Sequence, residues 1–290
     1  MKVCPTCNNR FETAGWRCPS CHSEPDQVAG FPAFAPDLAK ANDGFEASHF
    51  DELAPLEANN FWFRSRNQLI IWALGRYFPD ITNFLEVGCG TGFVLSGMKQ
   101  GFPNLRLSGS EIFSNGLIYA SDRVGQCDLF QMDARHIPFE DEFDVIGGFD
   151  VLEHITEDEL VLYQMYRAVR PGGGIILTVP QHAFLWSKAD EHACHVRRYS
   201  NSELKNKVQN AGFDLVKSTS FVSLLLPLMM ISRLRQRTGA KDYDPLAELK
   251  ISGLVNQILE KMLGLERALI RMGLPFSAGG SLLVVARKNA

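Results

Sequence analysis

The sequence predicts an α/β fold, a parallel sheet with helices on both faces, preceded by a small cysteine-rich segment. Three observations predict it. From residue 45 onward, short apolar runs alternate with stretches of helical periodicity, the pattern of a parallel sheet built from crossover units. Phe84-Leu85-Glu86-Val87 passes directly into Gly88-Cys89-Gly90-Thr91-Gly92, a strand opening into a glycine loop. Four of the seven cysteines stand as Cys4-Pro5-Thr6-Cys7 and Cys18-Pro19-Ser20-Cys21, a spacing suited to one metal ion. The organisation read from this is a metal-binding segment at 1–28, a linker at 29–44 and a main domain at 45–290.

Each C-P-x-C turn aims two thiolates at one point, and two turns supply the four sulfurs of a closed tetrahedral site. So short a segment cannot build a core unaided, so the metal would supply much of its folding energy. Zinc is the expected ion, with Cys4, Cys7, Cys18 and Cys21 as ligands, in what resembles a short zinc ribbon. His22 follows a set already complete. A closed site has no open position for catalysis, so its role is structural or adaptor-like. Residues 29–43, with Pro32 and Pro36 and no periodicity, read as linker.

In the main domain Phe45 to Phe78 reads as helical pieces, and Asn83–Val87 as the first strand. A helix over Thr91–Gln100 follows the loop, then a second strand, Leu105–Glu111. Ser114–Arg123 is the next helix, with Ser114 as its N-cap. Asp128–Met132 and Phe143–Gly148 are the third and fourth strands. The helix from about Glu157 to Val169 is stopped by Arg170-Pro171-Gly172-Gly173-Gly174, and Ile175–Val179 is the fifth strand. Ser202–Ala211 is helical, Phe213–Phe221 is the sixth strand, and Ser281–Ala286 is the last.

The loop spacing is G-x-G-x-G, with Phe93 where a dinucleotide fingerprint needs its third glycine. A carboxylate at Glu86 would repel a pyrophosphate, so the expected ligand is cationic. S-adenosylmethionine, with an amino group and a sulfonium, meets that requirement. Glu111 closes the second strand nineteen residues after Gly92, where an acid can accept both ribose hydroxyls. Asp133 closes the third, where it can accept the adenine amine beside the backbone N–H of Ala134.

These residues, with Phe149-Asp150-Val151-Leu152-Glu153-His154 and Arg170-Pro171-Gly172-Gly173, resemble a class I S-adenosylmethionine-dependent methyltransferase. The lead-in segment from Leu56-Glu57 to Arg66, and His195-Val196-Arg197-Arg198-Tyr199, are similar to a bacterial subgroup. The resemblance implies a Rossmann-like seven-stranded sheet of order 3-2-1-4-5-7-6, its seventh strand antiparallel. It implies that Glu86, Gly88, Cys89, Gly90 and Gly92 hold the methionine end of the cofactor. Glu111 and Ile112 would serve the ribose, Asp133 and Ala134 the adenine, and Asp150 would sit beside the sulfur. Trp62 and Arg66 would cover the cofactor, while Phe61 and Phe63 read as core aromatics. Cys194 stands where related sequences commonly carry glycine.

A hydroxyl acceptor needs a base, and His154, His192 and His195 are the candidates. Arg197 and Arg198 suit a phosphate or carboxylate on the acceptor, or the cap of the following helix. The expected acceptor is a small molecule or a glycan- or lipid-linked carrier. Alternatives are an rRNA or tRNA methyltransferase docking RNA through the ribbon, or a non-catalytic cofactor-binding adaptor. The net charge of −4 and pI near 6.0 argue against a broad nucleic-acid footprint.

Residues 222–275 form a helical insertion. Leu224 to Ile231 is apolar and precedes Arg233, Arg235 and Arg237, and a helix at 248–272 carries Leu249, Ile251, Leu254, Val255, Ile258, Leu259, Met262 and Leu263. Such a segment serves as packing, a homodimer face, a lid or a peripheral membrane contact through 221–237. The longest apolar run, Phe221 to Ile231, is too short for a bilayer span of roughly 20 residues. With no apolar leader and an odd cysteine count, the expected location is the cytoplasm, with peripheral contact at the inner membrane as an option.

Overall fold

A computed structural model describes residues 1–39, 48–237 and 251–290. Residues 40–44 of the predicted linker, Phe45 and Leu249 lie outside the described residues, as do the side chains of Arg235 and Arg237. The chain begins with a hairpin, β1 (Lys2–Val3) and β2 (Arg10–Phe11), then a second one, β3 (Asp26–Val28) and β4 (Phe31–Ala33). Helices α1 (Ser48–Glu57) and α2 (Phe61–Tyr77) lead into β5 (Asn83–Val87). Next come α3 (Phe93–Gly101), β6 (Arg106–Glu111), α4 (Ser114–Val124), β7 (Asp128–Gln131) and β8 (Phe143–Phe149). Then follow α5 (Asp158–Ala168), β9 (Val169–Pro180), α6 (Lys188–His192), α7 (Asn201–Asn210) and β10 (Asp214–Phe221). The insertion supplies α8 (Leu226–Arg237) and α9 (Gly253–Arg271), and β11 (Ser281–Arg287) ends the fold.

The sheet runs β10-β11-β9-β8-β5-β6-β7-β4-β3. Its central seven strands have the expected 3-2-1-4-5-7-6 order, and β11 is antiparallel to both neighbours. All five residues of β5 are buried, and their alternation divides the core. Phe84 packs on one face with Leu69 and Leu74 of α2, Leu95 and Met98 of α3 and Leu117 of α4. Leu85 and Val87 pack on the other with Val161 and Met165 of α5 and Leu204 of α7. A strand buried on both faces is largely apolar, as Phe84, Leu85 and Val87 are here, and the buried Glu86 is the exception.

Three local expectations change. The segment predicted as linker contains β4, which pairs in parallel with β7 through Ala33 and Gln131 and widens the sheet to nine strands. Gln131 fixes it, accepting from the Ala35 N–H at 2.9 Å and donating to the Ala35 carbonyl at 2.8 Å. Near a sheet edge, Pro32 is tolerated in a strand too short to show periodicity. Strand β9 starts at Val169 and absorbs the predicted stop through a register shift opposite Phe143 and Val145. Ser114 is not the N-cap of α4; that position is Phe113, and the Glu111 carboxylate accepts from the N–H groups of Ile112 and Phe113.

Helix α9 packs on α2. Asn256 accepts from the Phe61 N–H at 2.7 Å, and Glu260 pairs with Arg64 at 2.6 Å. Leu263 is buried, but Leu254, Val255 and Ile258 face outward. Among the described residues no helix is long and apolar enough to cross a membrane.

Candidate active site

A cavity of about 580 Å³ lies at the carboxyl ends of β5, β6, β7 and β8, where open α/β sheets bind ligands. Its size suits a small organic molecule. The glycine loop makes its floor. Gly88, Gly90 and Gly92 have φ of 68°, 49° and 74°, a region open to glycine at no steric cost. Space forbids side chains as well: a Cβ on Gly88 would stand 2.5 Å from Val151, and one on Gly92 2.8 Å from the Ala120 backbone.

Glu86 is the penultimate residue of β5, against this floor. It is 2% exposed, and its Oε2 has no hydrogen-bond partner among the described residues. Burial pushes its carboxyl well above the usual range, the nearby Arg66 opposing and Glu111 reinforcing the shift. An unsatisfied buried carboxylate facing a cavity calls for a cation or a donor. The ammonium of S-adenosylmethionine fits that demand. Glu111 accepts from the N–H of Gly90 at 3.0 Å and of Ile112 at 2.8 Å. The second strand end is thereby tied to the loop; Oε1 accepts from both Ile112 and Phe113, while Oε2 accepts from Gly90 alone and keeps a lone pair.

Asp133 also lines the cavity but is already engaged: Arg135 grips both of its oxygens at 3.0 Å. Burial raises this carboxyl, and the Arg135 hydrogen bonds more than offset it, leaving it below the usual range. Asp150 stands at φ 58° and pairs with Arg66, joining the fourth strand end to α2. Cys89, Ile112 and Ala134 are in the wall. Trp62 is not; it stacks on Arg66 at 4.8 Å, while Phe63, a buried aromatic as expected, also lines the cavity. The helical turn of 100° between neighbours decides which ring faces inward.

The histidines separate. His154 is in the cavity wall, with its pKa pushed down to about 3 by burial and then by the charge of His195. His195 contacts His154 edge to face at 4.7 Å, and its Nδ1 lies 2.9 Å from Asp190. His192 is exposed and outside the wall. Arg198 bonds Asp190 and Arg197 pairs with Asp158, so both arginines brace the loop. Cys194 has φ 56°, which accounts for the glycine common at that position.

A clamp over the loop was missed by sequence reasoning. Phe50, Leu53 and Glu57 of α1 cover the cavity. The Thr91 hydroxyl donates to Glu57 at 2.7 Å, and Arg123 of α4 bonds both Glu57 and Thr91. No local signal pairs Glu57 with Arg123, 66 residues apart.

At the N-terminus, the Sγ atoms of Cys4, Cys7, Cys18 and Cys21 lie within 4.8 Å of one another, with two contacts at 3.6 Å. Four thiolates at about 2.3 Å from zinc would stand about 3.8 Å apart, so the set fits. The turns are alike: the Asn8 N–H bonds the Cys4 carbonyl and the His22 N–H the Cys18 carbonyl, each at 2.9 Å.

Residues 85–177 match the family model described as a methyltransferase domain. That segment gives the chain its likeness to S-adenosylmethionine-dependent methyltransferases. It is 28% identical over 214 residues to the biotin biosynthesis bifunctional protein BioHC of Teredinibacter turnerae, covering 67% of this chain and 36% of that protein. It is 26% identical to the malonyl-[acyl-carrier protein] O-methyltransferase of Dechloromonas aromatica, covering 63% and 70%. The fold is shared with Haemonchus contortus phosphoethanolamine N-methyltransferase 2 in complex with S-adenosyl-L-methionine. There the TM-score is 0.52 at 19% identity, over 77% of this chain and 53% of that one.

Proposed function

We propose that this methyltransferase moves a methyl group from S-adenosylmethionine to a small-molecule or carrier-linked acceptor. The observation that carries the reading is Glu86, a buried carboxylate with an oxygen that has no partner among the described residues, at a floor where a Cβ on Gly88 or Gly92 would clash. Glu86 receives the ammonium, Glu111 the ribose hydroxyls and Asp133, shared with Arg135, the adenine edge. Arg66 and Asp150 stand where the methionine end meets the acceptor side. The sulfonium supplies the electrophilic methyl; the protein aligns the acceptor and excludes water. His154, held neutral by burial, lines the cavity and is a poor base. A relative named for an acyl-carrier substrate supports a carrier-linked acceptor.

The cysteine set reads as a structural zinc site. Replacing Cys4 and Cys7 with serine should remove that zinc. Exposed Leu228, Ile231 and Leu234 of α8 are the surface for a lipid-like acceptor or membrane contact. The test is incubation with methyl-labelled cofactor and fractionated cell extract. Label in a lipid, glycan or small-molecule pool, or on a group released from carrier protein by thioester cleavage, supports the reading; label in RNA or on protein side chains overturns it.

A further inference from the structure

We infer that Glu153, His154 and His195 form a second metal site, taking a first-row divalent cation at the cavity wall. Glu153 is fully buried, and neither carboxylate oxygen has a hydrogen-bond partner among the described residues. Protonation does not resolve this, because a carboxylic acid proton also needs an acceptor. One ligand atom from each of Glu153, His154 and His195 lies within 4.8 Å of the others. Ligation at about 2.0–2.2 Å draws such atoms to roughly 3.4 Å, a closure of about an ångström.

The surroundings are those of a ligating imidazole. His195 Nδ1 lies 2.9 Å from Asp190 Oδ1, and Asp190 is itself 1% exposed. Arg198 Nε donates to the same carboxylate at 2.7 Å and the Ser187 N–H at 2.9 Å. A carboxylate so held keeps the proton on Nδ1 and leaves Nε2 to bind metal. The loop is pinned to its partner strand end, since the Val196 N–H donates to the Glu153 carbonyl at 2.8 Å.

Two imidazoles and one carboxylate leave coordination positions open, as in catalytic zinc and non-haem iron(II) sites, unlike the closed thiolate set at the N-terminus. His154 and Cys194 are part of the cavity wall, so the open positions face the space left for the acceptor. There the ion holds an acceptor oxygen for in-line attack on the methyl group. This last role rests on the methyl-transfer reading; the site does not.

The test is metal content and cobalt(II) spectroscopy of the full chain after loading with zinc or cobalt. Wild-type protein should hold two ions, one with thiolate-to-cobalt charge transfer and one with d–d bands alone. Glu153→Gln and His195→Ala should each lose the second ion and keep the first. Cofactor affinity by calorimetry, retained in Glu153→Gln, serves as the check on folding. A single ion in wild type, or a second one indifferent to both substitutions, overturns the proposal. Failure of the methyl-transfer reading would show separately, as absent cofactor binding in wild type.

Discussion

Glu86 has its charge suppressed by burial and restored by a cationic ligand, so cofactor binding should expel its proton. Because burial holds the free carboxyl above its ordinary range, affinity should rise as pH rises through that value. Calorimetry in buffers of different ionisation enthalpy measures the released proton, and Glu86→Gln should abolish it. Glu111 is the other decisive acid. A charged hydrogen bond is worth about 1.5–3 kcal/mol, so Glu111→Ala should weaken cofactor binding by roughly 10- to 100-fold. Unchanged affinity would remove the ribose assignment. Both carboxylates were legible because each ends an apolar run at a fixed distance from the glycines. Arg135, Phe63 and the Thr91 hydroxyl were not, since nothing local says which way a side chain turns.

At the level of elements, α1 is joined to the glycine loop by Glu57, Thr91 and Arg123. Leaving one member of a buried ion pair without its partner is strongly destabilising. Arg123→Met should therefore free α1, raise cofactor Kd about tenfold and expose residues 48–57 to protease. Intact protection would show that the clamp is dispensable. The N-terminal ribbon is bound to the sheet edge by Trp16, which meets Phe34 at 4.5 Å and Phe139 at 5.4 Å. Such aromatic pairs contribute roughly 0.5–1.5 kcal/mol each. Trp16→Ala should make residues 1–25 protease-sensitive, with the sheet still folded by circular dichroism.

Across the whole molecule, ribbon and cofactor site are physically continuous. The ribbon abuts the connection between β7 and β8 through Val3, whose N–H donates to the Pro138 carbonyl at 2.9 Å. The β3–β4 hairpin follows, and the chain then delivers Leu38 to the cavity wall. Losing the metal proposed at the four cysteines should thus lower cofactor affinity, read by calorimetry on the Cys4→Ser, Cys7→Ser variant. Acid stability has its own centre in Asp158, which binds Tyr199 at 2.6 Å and Lys207 at 2.6 Å and pairs with Arg197. Burial raises this carboxyl, but the three partners more than offset it and hold it below 3.8. A depressed carboxyl stabilises the fold fully above the unfolded value, and that stability is lost as pH falls through the folded one. Urea midpoints should therefore drop below about pH 4 in wild type and less steeply in Asp158→Asn.

The strands, the acids at their ends and the four cysteines follow from the sequence, whereas the strand order was implied only by the resemblance. The first three rest on periodicity or on fixed spacing over a few residues, which local sterics and strand geometry enforce. Tertiary structure alone decided the rest. The widening of the sheet by β4, the Glu57–Arg123 clamp, the inward turn of Phe63 and the meeting of Glu153 with His195 join residues far apart in sequence. Such contacts depend on how whole elements pack and rotate, which no short window of sequence records.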